Sequence, residues 1–197
     1  MSLTHALLGV LESRPMNGYE LTKFFDSGAR WVWSAPQSQI YTTLRKMQQE
    51  GLIIGADQTR TTRMKSHVYS ITDKGREELV SWVATPREQP PTRDAFLLQA
   101  LYFDDVSPEA ADSVIRDFIE TNERLIEQWT TQRELLLRKE TPLIKERLRQ
   151  RPAEQHERIA QLKAHVFQGQ IDRAVAALEW ARHALKLVHG DHVDGSR

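Results

Sequence analysis

The sequence predicts a mainly α-helical protein with a small β-wing: short helices and one hairpin in the first half, long helices in the second. Three observations carry this. Helix-start signatures precede apolar stripes of helical spacing at Asn17, Ser34, Thr72, Asp94 and Ser107. Residues 52–71 switch to a β-rich, partly alternating pattern. Residues 86–93, PREQPPTR, form a proline-rich break that no helix crosses, and two long amphipathic stretches follow it.

Composition bounds the function. With 40% hydrophobic and 27% charged residues in 197, the chain has the make-up of a soluble globular protein of one or two domains. Cysteine is absent, which excludes disulfides, thiolate chemistry and sulfur-ligated zinc. The opening MSLTHALLGVLES has no cationic leader and too short an apolar run for a signal peptide or a membrane span, so a cytoplasmic location is expected. Net charge is zero, but between residues 35 and 66 Arg45, Lys46, Arg60, Arg63 and Lys65 face only Glu50 and Asp57. No nucleophile elbow, phosphate loop or zinc-ligand cluster is present, so no enzyme, cofactor or metal is expected. The late pair His189 and His192 is interrupted by Gly190 and makes a poor metal site.

Taken in order, Ser2 or Thr4 caps a first helix with Leu7, Leu8, Val10 and Leu11, ended by Pro15. Asn17 with Glu20 opens a second helix carrying Tyr19, Leu21, Phe24 and Phe25, with Gly28 as its stop. After the connector WVW, the stretch SAPQSQIYTTLRKMQQEG reads as a complete third helix. Ser34 and Gln37 form its capping box, Pro36 fits its first turn, Ile40, Leu44 and Met47 make its buried stripe, and Gly51 offers a left-handed stop. Gln37, Ser38, Gln39, Tyr41, Thr42, Arg45 and Lys46 remain off the stripe. Amides, hydroxyls and cations there suit base edges and phosphates, although an ordinary solvated face has the same composition.

The hairpin spans LIIGADQT and KSHVYSIT, with Arg60, Arg63 and Lys65 at its tip. Thr72 then caps a helix with an apolar edge of Leu79, Trp82 and Val83. Helix, helix, helix, strand, strand, helix is the order of a winged helix-turn-helix domain, in which the third helix enters the major groove and the hairpin follows the backbone. The expected DNA-binding residues are Tyr19, Gln37, Ser38, Gln39, Tyr41, Thr42, Lys46, Arg60, Arg63 and Lys65. Tyr19 sits where a helix start meets phosphate, or else packs on the first helix. Trp31 and Trp33 are either core plugs or, with Phe103 and Trp129, the walls of a pocket for a flat aromatic effector.

Beyond the linker at 87–93, Asp94 caps a short helix with Phe96, Leu97, Leu98, Leu101, Tyr102 and Phe103. Ser107, Pro108 and Glu109 start a long helix with Ile115, Phe118, Asn122, Leu125, Trp129, Gln132 and Leu136 at alternating spacings of three and four. Pro142 breaks that pattern. Pro152 starts a last helix with Ile159, Leu162, Val166, Gln170, Ala174, Leu178, Ala181, Leu185 and Val188. These seams point to a coiled-coil-like dimer arm, with Ile115, Phe118, Leu125, Trp129, Leu136, Val166, Leu178 and Leu185 as its contacts; an intramolecular bundle is the alternative. The domain division is therefore 1–86 winged helix-turn-helix, 87–93 linker, 94–190 helical dimerisation domain, and 191–197 disordered tail.

LLGVL at 7–11, NGYEL at 17–21, SQIYTTLRKMQQEGLI at 38–53 and VYSITDKGREEL at 68–79, in this order and spacing, resemble the PadR family of bacterial transcriptional regulators. The second half is similar, by helical pattern more than motif, to the dimerisation domain of that family's long branch, which includes a virulence-gene activator. The resemblance implies a homodimeric repressor, in some members an activator, on a pseudo-palindromic operator, with release by a small aromatic effector in several members. It places Tyr41 at the phosphate backbone, Gln37, Ser38, Gln39 and Thr42 at the groove, and Arg60, Arg63 and Lys65 in the wing. A helical adaptor for another protein shares the second-half pattern but leaves the cationic wing without a role.

Overall fold

Helix α1 (Leu3–Leu11) buries Leu3, Leu7, Leu8, Val10 and Leu11, a stripe dense enough to make it the centre of the first core. The computed structural model describes residues 3–27, 35–59, 65–88 and 94–190. After α1 come β1 (Met16–Asn17), α2 (Gly18–Ser27), α3 (Gln37–Gln49), β2 (Ile53–Thr59), β3 (Lys65–Ile71), α4 (Asp73–Ala84), α5 (Ala95–Ala100), α6 (Pro108–Leu137), α7 (Pro142–Arg149) and α8 (His156–Val188). By its internal contacts the chain divides into two units, residues 1–88 with 142–151, and residues 89–141 with 152–197.

The first unit is a winged helix-turn-helix. Its sheet has the order β1-β3-β2, antiparallel throughout, with Ile53 opposite Ile71, Thr59 opposite Lys65, and Met16 opposite Tyr69. The two-residue strand β1 is an addition to the expected hairpin; two residues show no periodicity in sequence. Leu7, Leu8, Leu21, Ile40, Leu44 and Met47 have no exposed surface. Burying each such side chain contributes about 1.5–3 kcal/mol. The capping box of α2 is reciprocal: the Glu20 N–H donates to Asn17 Oδ1 at 2.8 Å and the Asn17 N–H donates to Glu20 Oε2 at 3.0 Å.

Two expectations are corrected in this unit. Helix α3 starts later than the Ser34 capping box requires: Pro36 is its N-cap residue, without a side-chain cap, and the Pro36 carbonyl accepts from the Gln39 and Ile40 N–H groups. The Gln39 N–H, which a capping hydroxyl would otherwise serve, is taken by the Pro36 carbonyl instead, so the helix begins there without a side-chain cap. Val83 is 69% exposed, because the buried face of α4 runs through Gly75, Leu79 and Trp82 at spacings of four and three. Trp82 stacks on His5 of α1 at 4.7 Å.

The second unit is built on α6 and α8. Asp112 meets His189, Glu123 meets Arg182, and Lys139 meets Glu157, so the two helices run antiparallel. The predicted caps Asp94 and Ser107 accept from the Leu97 and Ala110 N–H groups, and Pro108 opens α6. The apolar seam of each helix is used against the other. Ile115, Leu136 and Leu178, expected at a dimer seam, are buried inside this single chain, while Phe118, Leu125, Trp129 and Leu185 are half-buried. The buried stripe of α8 begins with Ala160 and Ala164, small residues that allow close approach to α6, and continues through Ile171, Ala174, Leu178 and Ala181. Leu162 and Val166, assigned to the same seam from sequence, are instead 58% and 54% exposed. The seam amide of Asn122 donates to the Phe118 carbonyl of its own helix at 2.8 Å. Among the described residues no helix is long and apolar enough to cross a membrane.

Candidate nucleic-acid interface

The third helix is held at both ends of its apolar stripe. Ile40, Leu44 and Met47 anchor one side in the core. At the carboxyl end, Gly51 takes φ +71°, its N–H donates to the Gln48 carbonyl, and the Leu52 N–H donates to the Met47 carbonyl. This is a Schellman stop, which needs a left-handed residue and so favours glycine. Helix α4 then docks on the same turn. Thr72 caps α4 by accepting from the Gly75 N–H, its hydroxyl lies 2.7 Å from the Gly51 carbonyl oxygen, and Lys74 Nζ donates to the Glu50 carbonyl at 2.7 Å.

With the stripe fixed, Gln37, Ser38, Gln39, Thr42, Arg45 and Lys46 are all exposed. The Thr42 hydroxyl donates to the Ser38 carbonyl at 2.9 Å and keeps its lone pairs for a donor. Lys46 lies 3.7 Å from Glu50, one turn further on, a solvent-screened pair that leaves the ammonium available to an anion.

Tyr41 is half-buried, and its ring lies over Gly18, the first residue of α2. A Cβ at Gly18 would fall 2.4 Å from Tyr41 Cε1, so the Tyr41 ring lies this close to α2 only because residue 18 has no side chain. Tyr19 beside it is 69% exposed, which removes the alternative of packing on α1. Burial pushes the Tyr69 phenol above its ordinary value, the nearby Tyr41 adds to this, and Arg45 opposes it. Arg45, placed by the sequence on the polar face of α3 but not among the expected DNA contacts, is therefore on Tyr41's side of α3, as its i, i+4 spacing from Tyr41 implies. On the wing, His67 Nδ1 and Asp57 Oδ1 are 2.8 Å apart across β2 and β3, and the His67 ring covers Gly55.

Of the remaining expected residues, Arg60 and Arg63 lie outside the described residues, and Lys65 is described only by its backbone pairing with Thr59. Trp31 and Trp33 also lie outside them. Phe103 lines an open cleft of about 480 Å3 in the second unit, with Val106, Trp180 and Leu187, but Trp129 does not line it. Asp104 is the charged side chain among that cleft's described lining residues, so a carboxylate ligand gains no ion pair there.

A three-helix core, a three-stranded sheet with a wing and a polar helix face held clear of the core define a winged helix-turn-helix protein with a long antiparallel helical unit attached. Residues 7–81 match the model of the transcriptional regulator PadR-like family. The chain is 33% identical over 116 residues to the negative transcriptional regulator PadR of Bacillus subtilis. That alignment covers 58% of this chain and 64% of the relative, so under two thirds of the relative's length is spanned. The fold is similar to crystal structures of Bacillus subtilis PadR with operator DNA (TM-score 0.72, 24% identity, 94% of this chain and 98% of that one) and with p-coumaric acid (TM-score 0.69, 24% identity, 95% and 98%). It is also similar to the Vibrio cholerae virulence activator AphA, with a TM-score of 0.64 and 24% identity over 97% of this chain and all of that one.

Proposed function

We propose that this protein is a cytoplasmic, homodimeric, sequence-specific DNA-binding transcriptional regulator, a repressor on a pseudo-palindromic operator, with no catalytic step. The observation that carries the reading is the exposed start of α3. Gln37, Ser38, Gln39 and Thr42 project from a helix whose other face is fully buried, and Tyr19, Tyr41 and Arg45 flank them. Amide and hydroxyl side chains read base edges, while tyrosine hydroxyls and cations hold phosphates. Arg60, Arg63 and Lys65 complete the backbone contacts in this reading. The operator-bound relative supports it.

The dimer surface in this reading is a second apolar stripe on α8, distinct from the one that meets α6. Leu162, Val166, Trp180 and Leu187 recur at helical spacing and are exposed, and Leu97 and Leu98 of α5, with Leu101 just after it, are exposed as well. A row of exposed apolar side chains on one helix fits a surface that another chain covers. Release by a small aromatic ligand completes the proposal, supported by the relative bound to p-coumaric acid.

The test is an electrophoretic titration of the full chain on its own upstream DNA and on a shuffled control at about 0.15 M salt. The reading expects retention of the upstream fragment at least about a thousandfold tighter than the control. Equal affinity for both would overturn sequence-specific recognition. Replacing Arg63 by Ala is expected to weaken both DNAs alike and to flatten the salt dependence.

A further inference from the structure

Helix α7 belongs to the winged-helix unit by its contacts and to the long helices by its connections. Ile144 and Leu148 are buried, and Leu143 packs against the core formed by α1 to α3. At the end of α1, one carboxylate oxygen of Glu12 accepts from Arg147 Nη1 and the other from Arg151 Nη2. Gln150 Nε2 donates to the neighbouring Ser13 carbonyl at 2.9 Å. The Glu12 side chain is only 12% exposed. Two guanidinium groups on one largely desolvated carboxylate make charge-assisted bonds that water competes for weakly.

The connections on either side of α7 are short. Only residues 138–141 separate it from α6, and only residues 150–155, including a 3-10 turn at Ala153–Gln155, separate it from α8. The first of these is stiffened: Lys139 takes φ +60°, the Glu140 N–H donates to the Leu135 carbonyl at 2.8 Å, and Lys139 Nζ pairs with Glu157 at 2.6 Å. A segment held in the winged-helix unit by buried side chains and a double ion pair is therefore joined along the chain to α6 and α8 by short connections.

We propose that Glu12, Arg147 and Arg151 form a latch that fixes α7 to the winged-helix unit and so sets where each recognition helix stands relative to its dimer partner's. These three are positioning residues, none of them at the DNA-reading face. The inference rests on the dimeric DNA-binding reading above for its consequence, but the latch itself is a property of the chain.

The test uses full-length Glu12→Gln, which keeps the shape and removes the charge. Two readouts are taken: amide exchange of residues 143–149 against residues 40–47, and affinity for DNA with two half-sites against DNA with one. The latch expects exchange in α7 about tenfold faster with α3 unchanged, since local opening reports local stability. It expects roughly tenfold weaker binding to the two-site DNA and binding within about twofold of the parent on one site, because only the paired geometry is lost. Unchanged α7 exchange overturns the proposal, as does an equal loss on both DNAs, which would make Glu12 a stabiliser of the winged unit alone. If the parent protein binds neither DNA, the regulator reading fails, and the exchange result still decides the latch. Should Glu12→Gln not fold by circular dichroism, Arg151→Met leaves Arg147 on the carboxylate and is expected to show the same pattern to a smaller degree.

Discussion

Replacing Gly18 by Ala tests whether α2 positions the recognition-helix tyrosine. The new methyl would lie 2.4 Å from Tyr41 Cε1 and 2.8 Å from both Cζ and the hydroxyl. Ordinary contact begins at 3.4 Å, so the ring tip must retreat by about 1 Å. Tyr41 is half-buried and its ring tip is free to swing, at an off-rotamer cost of about 0.5–1.5 kcal/mol. Alanine at the first turn of α2 regains about 0.4–1 kcal/mol through the unfolded chain. Net stability should therefore change by no more than about 1 kcal/mol, or about 5 °C in Tm for a domain of this size. DNA binding should change much more. A phenol displaced by 1 Å loses a hydrogen bond to phosphate worth about 1.5–3 kcal/mol, roughly ten- to hundredfold in Kd. Thermal melts and fluorescence anisotropy on the upstream DNA measure the two quantities. A Gly18→Ala variant that binds DNA like the parent while Tyr41→Phe does not would refute this coupling, because Gly18 would then have no hold on Tyr41.

Other expectations follow from the same geometry. Thr72→Ala removes the cap of α4 and the hydroxyl that reaches the Gly51 turn, and should lower stability by about 1–2 kcal/mol in urea titrations. Asp112 is held below the usual carboxylate range by its hydrogen bond to Arg116 and then by His189. A depressed folded value contributes stability above the unfolded value near pH 4 and loses it as pH falls through the folded one. Asp112→Asn should therefore lower the urea midpoint at pH 6, and that difference from the parent should shrink as the pH is taken below 4. Val166→Asp should shift the light-scattering mass from dimer to monomer with helicity retained, whereas Leu178→Asp should unfold the second unit, because only Leu178 is buried within the chain.

Most of the helix starts were legible from local signals. Asn17 with Glu20, Thr72, Asp94 and Ser107 act within three residues, and each caps as its pattern implies. The stripe Ile40, Leu44, Met47 and the stop at Gly51 were legible for the same reason. The Ser34 pattern was misleading because the helix starts two residues later, where the Pro36 carbonyl serves the first-turn N–H groups. What periodicity could not supply was the partner. Heptad spacing says that Ile115, Leu136 and Leu178 are covered, but not whether by the same chain or another, and here α6 and α8 cover each other. Leu162 and Val166 could not be separated in the sequence from Ala174 and Leu178, because α8 carries two stripes, and the one that meets α6 begins with alanines that a hydrophobicity pattern underweights. The attachment of α7 to α1 across more than 130 residues leaves no local trace at all. For the site, residue types around Tyr41 and the i, i+4 placement of Arg45 were readable, whereas the Gly18 contact needed the fold.

The most direct test of the account is hydroxyl-radical footprinting of the full-length protein on its own upstream DNA at about 0.15 M salt. Two recognition helices in successive major grooves predict paired, two-fold-related protections centred about 34 Å, one helical turn, apart. Gln39→Ala is expected to relax the base preference at one symmetric position in each half, at a cost of roughly 1–3 kcal/mol. Diffuse protection without paired centres, or a base preference indifferent to Gln39, would contradict the claim that the exposed start of α3 reads the operator.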